Sequence, residues 1–250
     1  MKFKPCIDLH DGKVKQIVGE TLTADHNELI ENFVSAHSSS YYANLFKRDR
    51  LTGGHVIMLG GGNKEAAVEA LNAYPKGLQV GGGINADNAL EYLQQGASHV
   101  IVTSYIFRDG QFQKDNLDKI VAAVGKDRLV IDLSCKEKDG KWYVVSNQWT
   151  QFTDFEVNQA NIAYLEQYCD EFLIHAVDVE GKQQGFQRKL VSDLADWVAI
   201  TTTYAGGVRS IADLDEFKEL SRGKIDITIG SALDIFGGRL SYDAVIRYFQ

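Results

Sequence analysis

Two aspartates each close an apolar run, Asp8 in FKPCIDLHDG and Asp132 in RLVIDLSCK, and they stand 124 residues apart in a chain of 250. That spacing is almost half the chain. The glycine motifs repeat with nearly the same offset: VGGGI at 80–84 is answered by AGGVR at 205–209, and IVTS at 101–104 by TIGS at 228–231. Such a repeat constrains the architecture strongly, because each half must supply a strand, a carboxylate, a glycine pair and a small-residue strand end. A duplicated half-barrel meets the requirement, and it places the chemistry between two carboxylates and two anion sites.

The length is typical of one eight-stranded α/β barrel, or of two domains of about 125 residues. Apolar runs at 4–9, 43–45, 55–58, 78–80, 99–102, 129–133, 171–176, 197–201 and 225–229 read as strands. Helical stretches lie between them at 28–38, 64–73, 86–95, 115–125, 154–168, 187–195, 210–220 and 240–249. Nine strands is one too many for the barrel, and 43–45 is the weakest of them. The alternation predicts a parallel sheet with helices outside. Asn85–Ala86–Asp87 and Ser210 have the chemistry of helix caps, since their side chains accept otherwise orphan N–H groups. The polar segment 136–149, with Trp142-Tyr143-Val144-Val145 inside it, suits a long loop containing a small hairpin after the fifth strand. No Gly/Ser/Pro linker divides the chain. The expectation is a single (βα)8 TIM-barrel domain over 1–250, built from two similar half-barrels at approximately 1–125 and 126–250.

Composition narrows the partners. A hydrophobic content of 44% supports a large core, and no run of about 20 apolar residues offers a membrane span. The chain reaches a strand-like run by residue 3 without a signal-peptide apolar region, so a cytoplasmic protein is expected. A net charge of −8 argues against nucleic acid or an anionic membrane as the main partner. An anionic small substrate remains compatible, because backbone N–H groups can hold phosphate in an acidic protein. Cys6, Cys135 and Cys169 are odd in number and widely spaced, reading as reduced thiols with no zinc-ligand pattern. No metal or other cofactor is expected.

Asp8 and Asp132 fall at the C-terminal ends of predicted strands, the face on which barrels carry their active sites. A carboxylate in an apolar strand is costly unless it is paired, hydrogen-bonded or used. Either one alone could be structural; together they suggest an acid–base pair across a pore, and the spacing does not say which is the acid. Gly81–Gly82–Gly83 and Gly206–Gly207 each follow an apolar strand and precede a cap, so backbone N–H groups can converge there on an anion. About 20 residues later come Thr103–Ser104 and Gly230–Ser231, able to complete each cup. Two cups imply a ligand with a phosphate at each end. A dinucleotide is disfavoured, because neither site follows the GxGxxG pattern after a first strand. His175 ends the run FLIHA, ahead of Asp178, Glu180 and a Gly181…Gly185 loop, and reads as a substrate contact. His10, His55 and Trp149 rank behind it, Trp149 as a ring able to stack on a planar ligand.

Taken together, PCIDLHDGKVKQ, HVIMLGGG, VGGGI, VIVTSYIF, VIDLSC, FLIHAVDVEGKQQG, AGGVRSIADL and TIGSALDIFGG resemble the eukaryotic-type branch of the phosphoribosyl isomerases of histidine biosynthesis, whose substrate is the aminoaldose phosphate ProFAR. The resemblance runs from residue 3 to about 248. It implies a (βα)8 barrel with half-barrel symmetry and a cofactor-free Amadori rearrangement to an aminoketose phosphate in the cytoplasm. It also implies Asp8 as the base, Asp132 as the acid, and His175 at the position of the family's sixth-strand threonine. The chain departs from the bacterial pattern at Gly60, where a carboxylate is usual, and at Asn85, where an arginine is usual. Ungapped alignment would set Ser134 opposite the bacterial fifth-strand aspartate. A serine cannot serve as the general acid, and Asp132 shares its strand face two residues away, so Asp132 is retained. Three rivals remain: the sister cyclase, which needs ammonia from a glutaminase; a phosphoribosylanthranilate isomerase using Cys6 as base; and a non-catalytic sugar-phosphate binding barrel.

Overall fold

The computed structural model describes residues 1–17, 31–147, 149–179 and 185–250. Its elements in chain order are β1 (Cys6–His10), β2 (Lys13–Ile17), β3 (Glu31–Val34), α1 (Ser39–Arg48), β4 (Gly54–Met58), α2 (Lys64–Ala73), β5 (Leu78–Gly81), α3 (Ala89–Gln94), β6 (Val100–Val102), β7 (Phe107–Arg108), β8 (Gln111–Phe112) and α4 (Lys114–Val124). The second half continues with β9 (Leu129–Lys138), β10 (Lys141–Ser146), β11 (Gln151–Val157), α5 (Gln159–Leu165), β12 (Glu171–Ala176), α6 (Arg188–Trp197), β13 (Thr201–Ala205), α7 (Ile211–Leu220), β14 (Asp226–Thr228) and α8 (Tyr242–Phe249).

Eight of these strands run parallel in the order β1, β4, β5, β6, β9, β12, β13, β14. The ring closes through a parallel bridge between Phe3 and Ile227, with Lys4 N–H donating to the Ile227 carbonyl and Ile227 N–H to the Lys2 carbonyl, both at 2.9 Å. A helix follows each strand of the ring, so the architecture is a (βα)8 barrel, as expected. The first strand of each half also carries an antiparallel extension: β2 and β3 after β1, β10 and β11 after β9. The repeat read from the motifs thus extends to the inserted strands.

Alternation along the strands sorts side chains between two cores. Those facing outward pack with the helices in one large cluster that includes Ile7, Leu9, Val56, Leu78, Val80 and Ile131. Inside the ring Ile101, Val130, Leu173 and Ala205 form a separate small cluster with Ile57 against it. Below it, toward the N-terminal ends of the strands, sits a buried ionic layer. Lys4 Nζ lies 2.7 Å from Glu171 Oε1 and 3.4 Å from Asp226 Oδ2. Gln79 and Thr203 donate to the Glu171 oxygens at 2.8 and 2.7 Å.

Most predicted elements stand within a few residues, and 64–73 matches α2 at both ends. Four differ. The helix predicted at 28–38 is replaced by β3, which pairs with β2, while residues 28–30 lie outside the described residues. The short strand at 43–45 is the middle of α1, whose buried Ser39, Tyr42, Ala43 and Phe46 follow the helical spacing. The helix predicted from 154 begins at Gln159, because Thr153, Phe155 and Val157 are buried alternately and build β11. The strand predicted at 197–201 starts only at Thr201, since Leu190, Val191, Leu194 and Ala195 carry the helical face of α6 on to Trp197. The hairpin expected within 136–149 is present and longer, with β9 running out to Lys138 to pair with β10. Ser210 caps α7, its hydroxyl accepting from Asp213 N–H, and Asn85 Oδ1 accepts from the N–H groups of Asp87 and Asn88.

Candidate active site

Because the eight strands are parallel, everything that follows their C-terminal ends gathers at one mouth. The strand order sets β1 across the ring from β9, so Asp8 and Asp132 face one another. The same order sets the β5–β6 glycine and serine segments across from those after β13 and β14. The four landmarks of the sequence repeat therefore alternate around a single opening.

Asp8 is half-buried, and its Oδ2 accepts a 2.8 Å bond from Nε2 of Gln16, a buried residue of β2. The amide oxygen of the same Gln16 lies against Gly230, where an added Cβ would sit 2.6 Å from it. Asp132 is buried. Its Oδ2 accepts from Thr103 Oγ1 at 3.1 Å, and its Oδ1 lies 3.4 Å from the donating Ser134 hydroxyl and 3.0 Å from His175 Nδ1. Trp149, at φ +67°, donates its indole N–H to Ser134 Oγ at 3.0 Å, and its ring centre stands 6.2 Å from that of His175. Ser134 is thus a buried relay between Trp149 and Asp132, while the carboxylate of this pair belongs to Asp132.

One cavity at the mouth is lined by Asp8, His55, His175, Gly206, Gly207, Gly230 and Ser231, among others. A second is lined by Gly83, Asn85, Ser104, Arg108, Ser146 and Asn147, among others. Gly206, Gly207, Gly230 and Ser231 all line the first hollow, whereas of the residues expected to form the other cup only Gly83 and Ser104 line the second, Thr103 being turned to Asp132. Gly82 serves a different end: a Cβ there would lie 2.1 Å from the Met58 carbonyl, so glycine lets β4 and β5 approach. Gly207 is held similarly: a Cβ there would lie 2.1 Å from the Gly185 carbonyl oxygen, and the Gly207 carbonyl accepts from Gly185 N–H. Glu180 and Gly181 lie outside the described residues.

Among the described residues, two buried side-chain oxygens find no hydrogen-bond partner, Thr228 Oγ1 and Ser146 Oγ. Thr228 lines the first cavity and Ser146 the second. Buried hydroxyls are ordinarily satisfied, so an orphan in each hollow fits a ligand that supplies the missing partner. Neither residue stands out in the sequence, since each is one polar residue at a strand end. Gln16 was equally hidden: only the antiparallel return of β2 brings it onto Asp8.

His55, on β4 beside Cys6, was a second-rank candidate from sequence and lies at the floor of the first cavity. Burial, reinforced by His175 and Lys4, pushes its imidazole down to about 3, so it is neutral near pH 7. All three cysteines are buried, and burial pushes the Cys135 and Cys169 thiols up. His10 does not line this cavity; it lies 3.0 Å from Asp11 and 3.2 Å from Lys15 Nζ.

A (βα)8 barrel with two carboxylates and two glycine-lined hollows at its C-terminal mouth belongs to the class of barrel enzymes that act on phosphorylated sugars. Residues 2–240 match the model of a family described as histidine biosynthesis protein, and the chain belongs to that family. A relative from Neurospora crassa is 55% identical over 95% of this chain and 94% of its own length. It is named 1-(5-phosphoribosyl)-5-((5-phosphoribosylamino)methylideneamino)imidazole-4-carboxamide isomerase. The protein of that name from Saccharomyces cerevisiae is 52% identical over 96% of this chain and 94% of its own. A chloroplastic one from Medicago truncatula is 50% identical over 99% of this chain and 81% of its own.

Proposed function

We propose that Asp8 and Asp132 perform the two proton transfers of an Amadori rearrangement, Asp8 as base and Asp132 as acid. The chain is an intramolecular aldose–ketose isomerase of histidine biosynthesis, converting ProFAR to its ribulosyl form. An acid protonates the ribose ring oxygen so that the ring opens to a Schiff base. A base removes the C2 proton, and the resulting enolamine tautomerises to the ketone. Two positioned carboxylates suffice for both transfers, and neither step calls for a cofactor.

The observation that carries this reading is the placement of Asp8 opposite Asp132, with the two glycine-lined hollows alternating between them. The substrate's two phosphates occupy those hollows: Gly83 and Ser104 on one side, with Gly82 shaping the turn and Thr103 holding Asp132, and Gly206, Gly207, Gly230 and Ser231 on the other. Binding energy from both ends then fixes the reacting ribose between the carboxylates. His175 orients Asp132, and Trp149 covers the ring from the hairpin side. The whole chain forms one barrel domain whose halves meet near residue 125. It acts as a monomer, because a closed ring leaves no sheet edge that needs a partner. Its partner is the small molecule, with no nucleic acid or membrane, and the compartment is the cytoplasm; among the described residues, no helix is long and apolar enough to cross a membrane.

The test is consumption of ProFAR by the purified chain without ammonia or glutamine, which separates isomerase from cyclase. Asp8→Asn and Asp132→Asn should each lower turnover by at least ~10²-fold with substrate still bound. Near-normal turnover in either variant removes that residue from the pair, and Ser134→Ala, expected to stay far more active, checks the neighbouring position.

A further inference from the structure

The sequence offers no metal-ligand spacing, yet the barrel assembles one donor of each common kind at the floor of the first cavity. Cys6 and Asp8 share a face of β1, two residues apart, and Cys6 is paired directly with His55 of β4. The thiol sulfur, a carboxylate oxygen and an imidazole nitrogen all lie within 4.8 Å of one another, and all three residues line the cavity. Two come from one strand and the third from its neighbour 47 positions on, so no local motif exposes the group.

We propose that Cys6, Asp8 and His55 form an inhibitory binding site for a thiophilic divalent cation of the zinc class. With ligand bonds of about 2.0–2.3 Å, a tetrahedral zinc ion needs donors roughly 3.3–3.8 Å apart, so about an ångström of side-chain rotation closes the set. A sulfur–nitrogen–oxygen set selects zinc-like ions over magnesium, which prefers an all-oxygen octahedron. Binding replaces the Cys6 S–H with a sulfur–metal bond and releases that proton to solvent; the thiol's weak 3.9 Å contact with the Ile229 carbonyl is given up. The fourth coordination position faces the cavity. Because the cation engages the carboxylate assigned as base, cation and substrate exclude one another. The inhibitory consequence rests on that assignment, whereas the binding site itself does not.

Two measurements separate these points. Co²⁺ titrated into the resting, chelator-free enzyme should produce a thiolate-to-cobalt charge-transfer band at one equivalent, and Zn²⁺ should bleach it. Turnover should fall with Zn²⁺, resist the same concentration of Mg²⁺, and recover as substrate is raised. In Cys6→Ala, referred to its own metal-free rate, half-inhibition should require at least ~10-fold more Zn²⁺, since even outer-shell changes cost 10–100-fold in affinity. Absence of the band in the wild-type enzyme, or unchanged Zn²⁺ sensitivity in Cys6→Ala, overturns the site. Because the cobalt band needs no turnover, the wild-type titration decides even if the variant fails to fold, and a chain that binds Co²⁺ but does not consume ProFAR would refute the isomerase reading alone.

Discussion

The two ends of the barrel are built from the same kinds of side chain and resolve them oppositely. At the N-terminal end Lys4, Gln79, Glu171, Thr203 and Asp226 satisfy one another, and Lys2 N–H adds a 2.7 Å bond to Asp226. At the C-terminal mouth the carboxylates Asp8 and Asp132 receive an amide, two hydroxyls and an imidazole, while Thr228 and Ser146 lack side-chain partners among the described residues. A buried polar network that is complete rigidifies; one left incomplete holds capacity for something that arrives later. Completeness, more than residue type, separates the structural end from the functional one.

The widest contrast sets Asp8→Asn against Lys4→Met. Asp8→Asn should cost at least ~10²-fold in kcat with an unchanged Tm. Lys4→Met should leave kcat of the folded fraction intact while removing about 3–5 kcal/mol of stability, because Glu171 and Asp226 stay buried without their cation. Denaturant melts and turnover on both variants decide it, and a crossed result in either abolishes the division. Next comes Gln16→Leu, for which a roughly tenfold drop in kcat, about 1.4 kcal/mol, is expected at constant KM and Tm, since the amide orients Asp8 rather than binding substrate. A rise in KM alone would move Gln16 from positioning to binding. His175→Asn should retain measurable turnover and exceed His175→Ala; an Asn variant as inactive as Asp8→Asn, with binding preserved, would make His175 the better acid. The smallest effect is expected for Thr228→Val: KM higher by about fivefold, near 1 kcal/mol, and Tm equal or slightly raised, because an orphan hydroxyl is lost from the free protein. A clear loss of Tm there would mean that Thr228 belongs to the structural class.

Much of this was legible in the chain, and the boundary is physical. Seven of the eight ring strands announce themselves because a parallel strand covered by helices reads as an apolar run, and Asp8 and Asp132 show as charges inside such runs; β13 does not, because it opens on three threonines. Glycine pairs after strands show for the same reason. The inserted strands are less legible: β3 and β11 fall in stretches whose pattern reads as helix, since short segments packed on one side carry too few periods to separate 2 from 3.6. Gln16, Thr228, Ser146 and the Cys6–His55 pairing were hidden outright. Each acquires meaning from a residue on another strand, and only the closed ring supplies that neighbour.

Closure of the ring also sets a schedule. The seam joins Phe3 to Ile227, so it cannot form until nearly the entire chain has been synthesised, on the order of ten to fifty seconds at ribosomal rates. Through that interval the strand leading into β1 is an open edge with unpaired N–H and C=O groups, the kind that recruits stray strands. Lys4 stands on that edge. In the finished barrel its ammonium is sealed between Glu171 and Asp226. In the nascent chain the same ammonium is a hydrated charge that a foreign sheet would have to bury, so the residue that locks the barrel also guards its unfinished side.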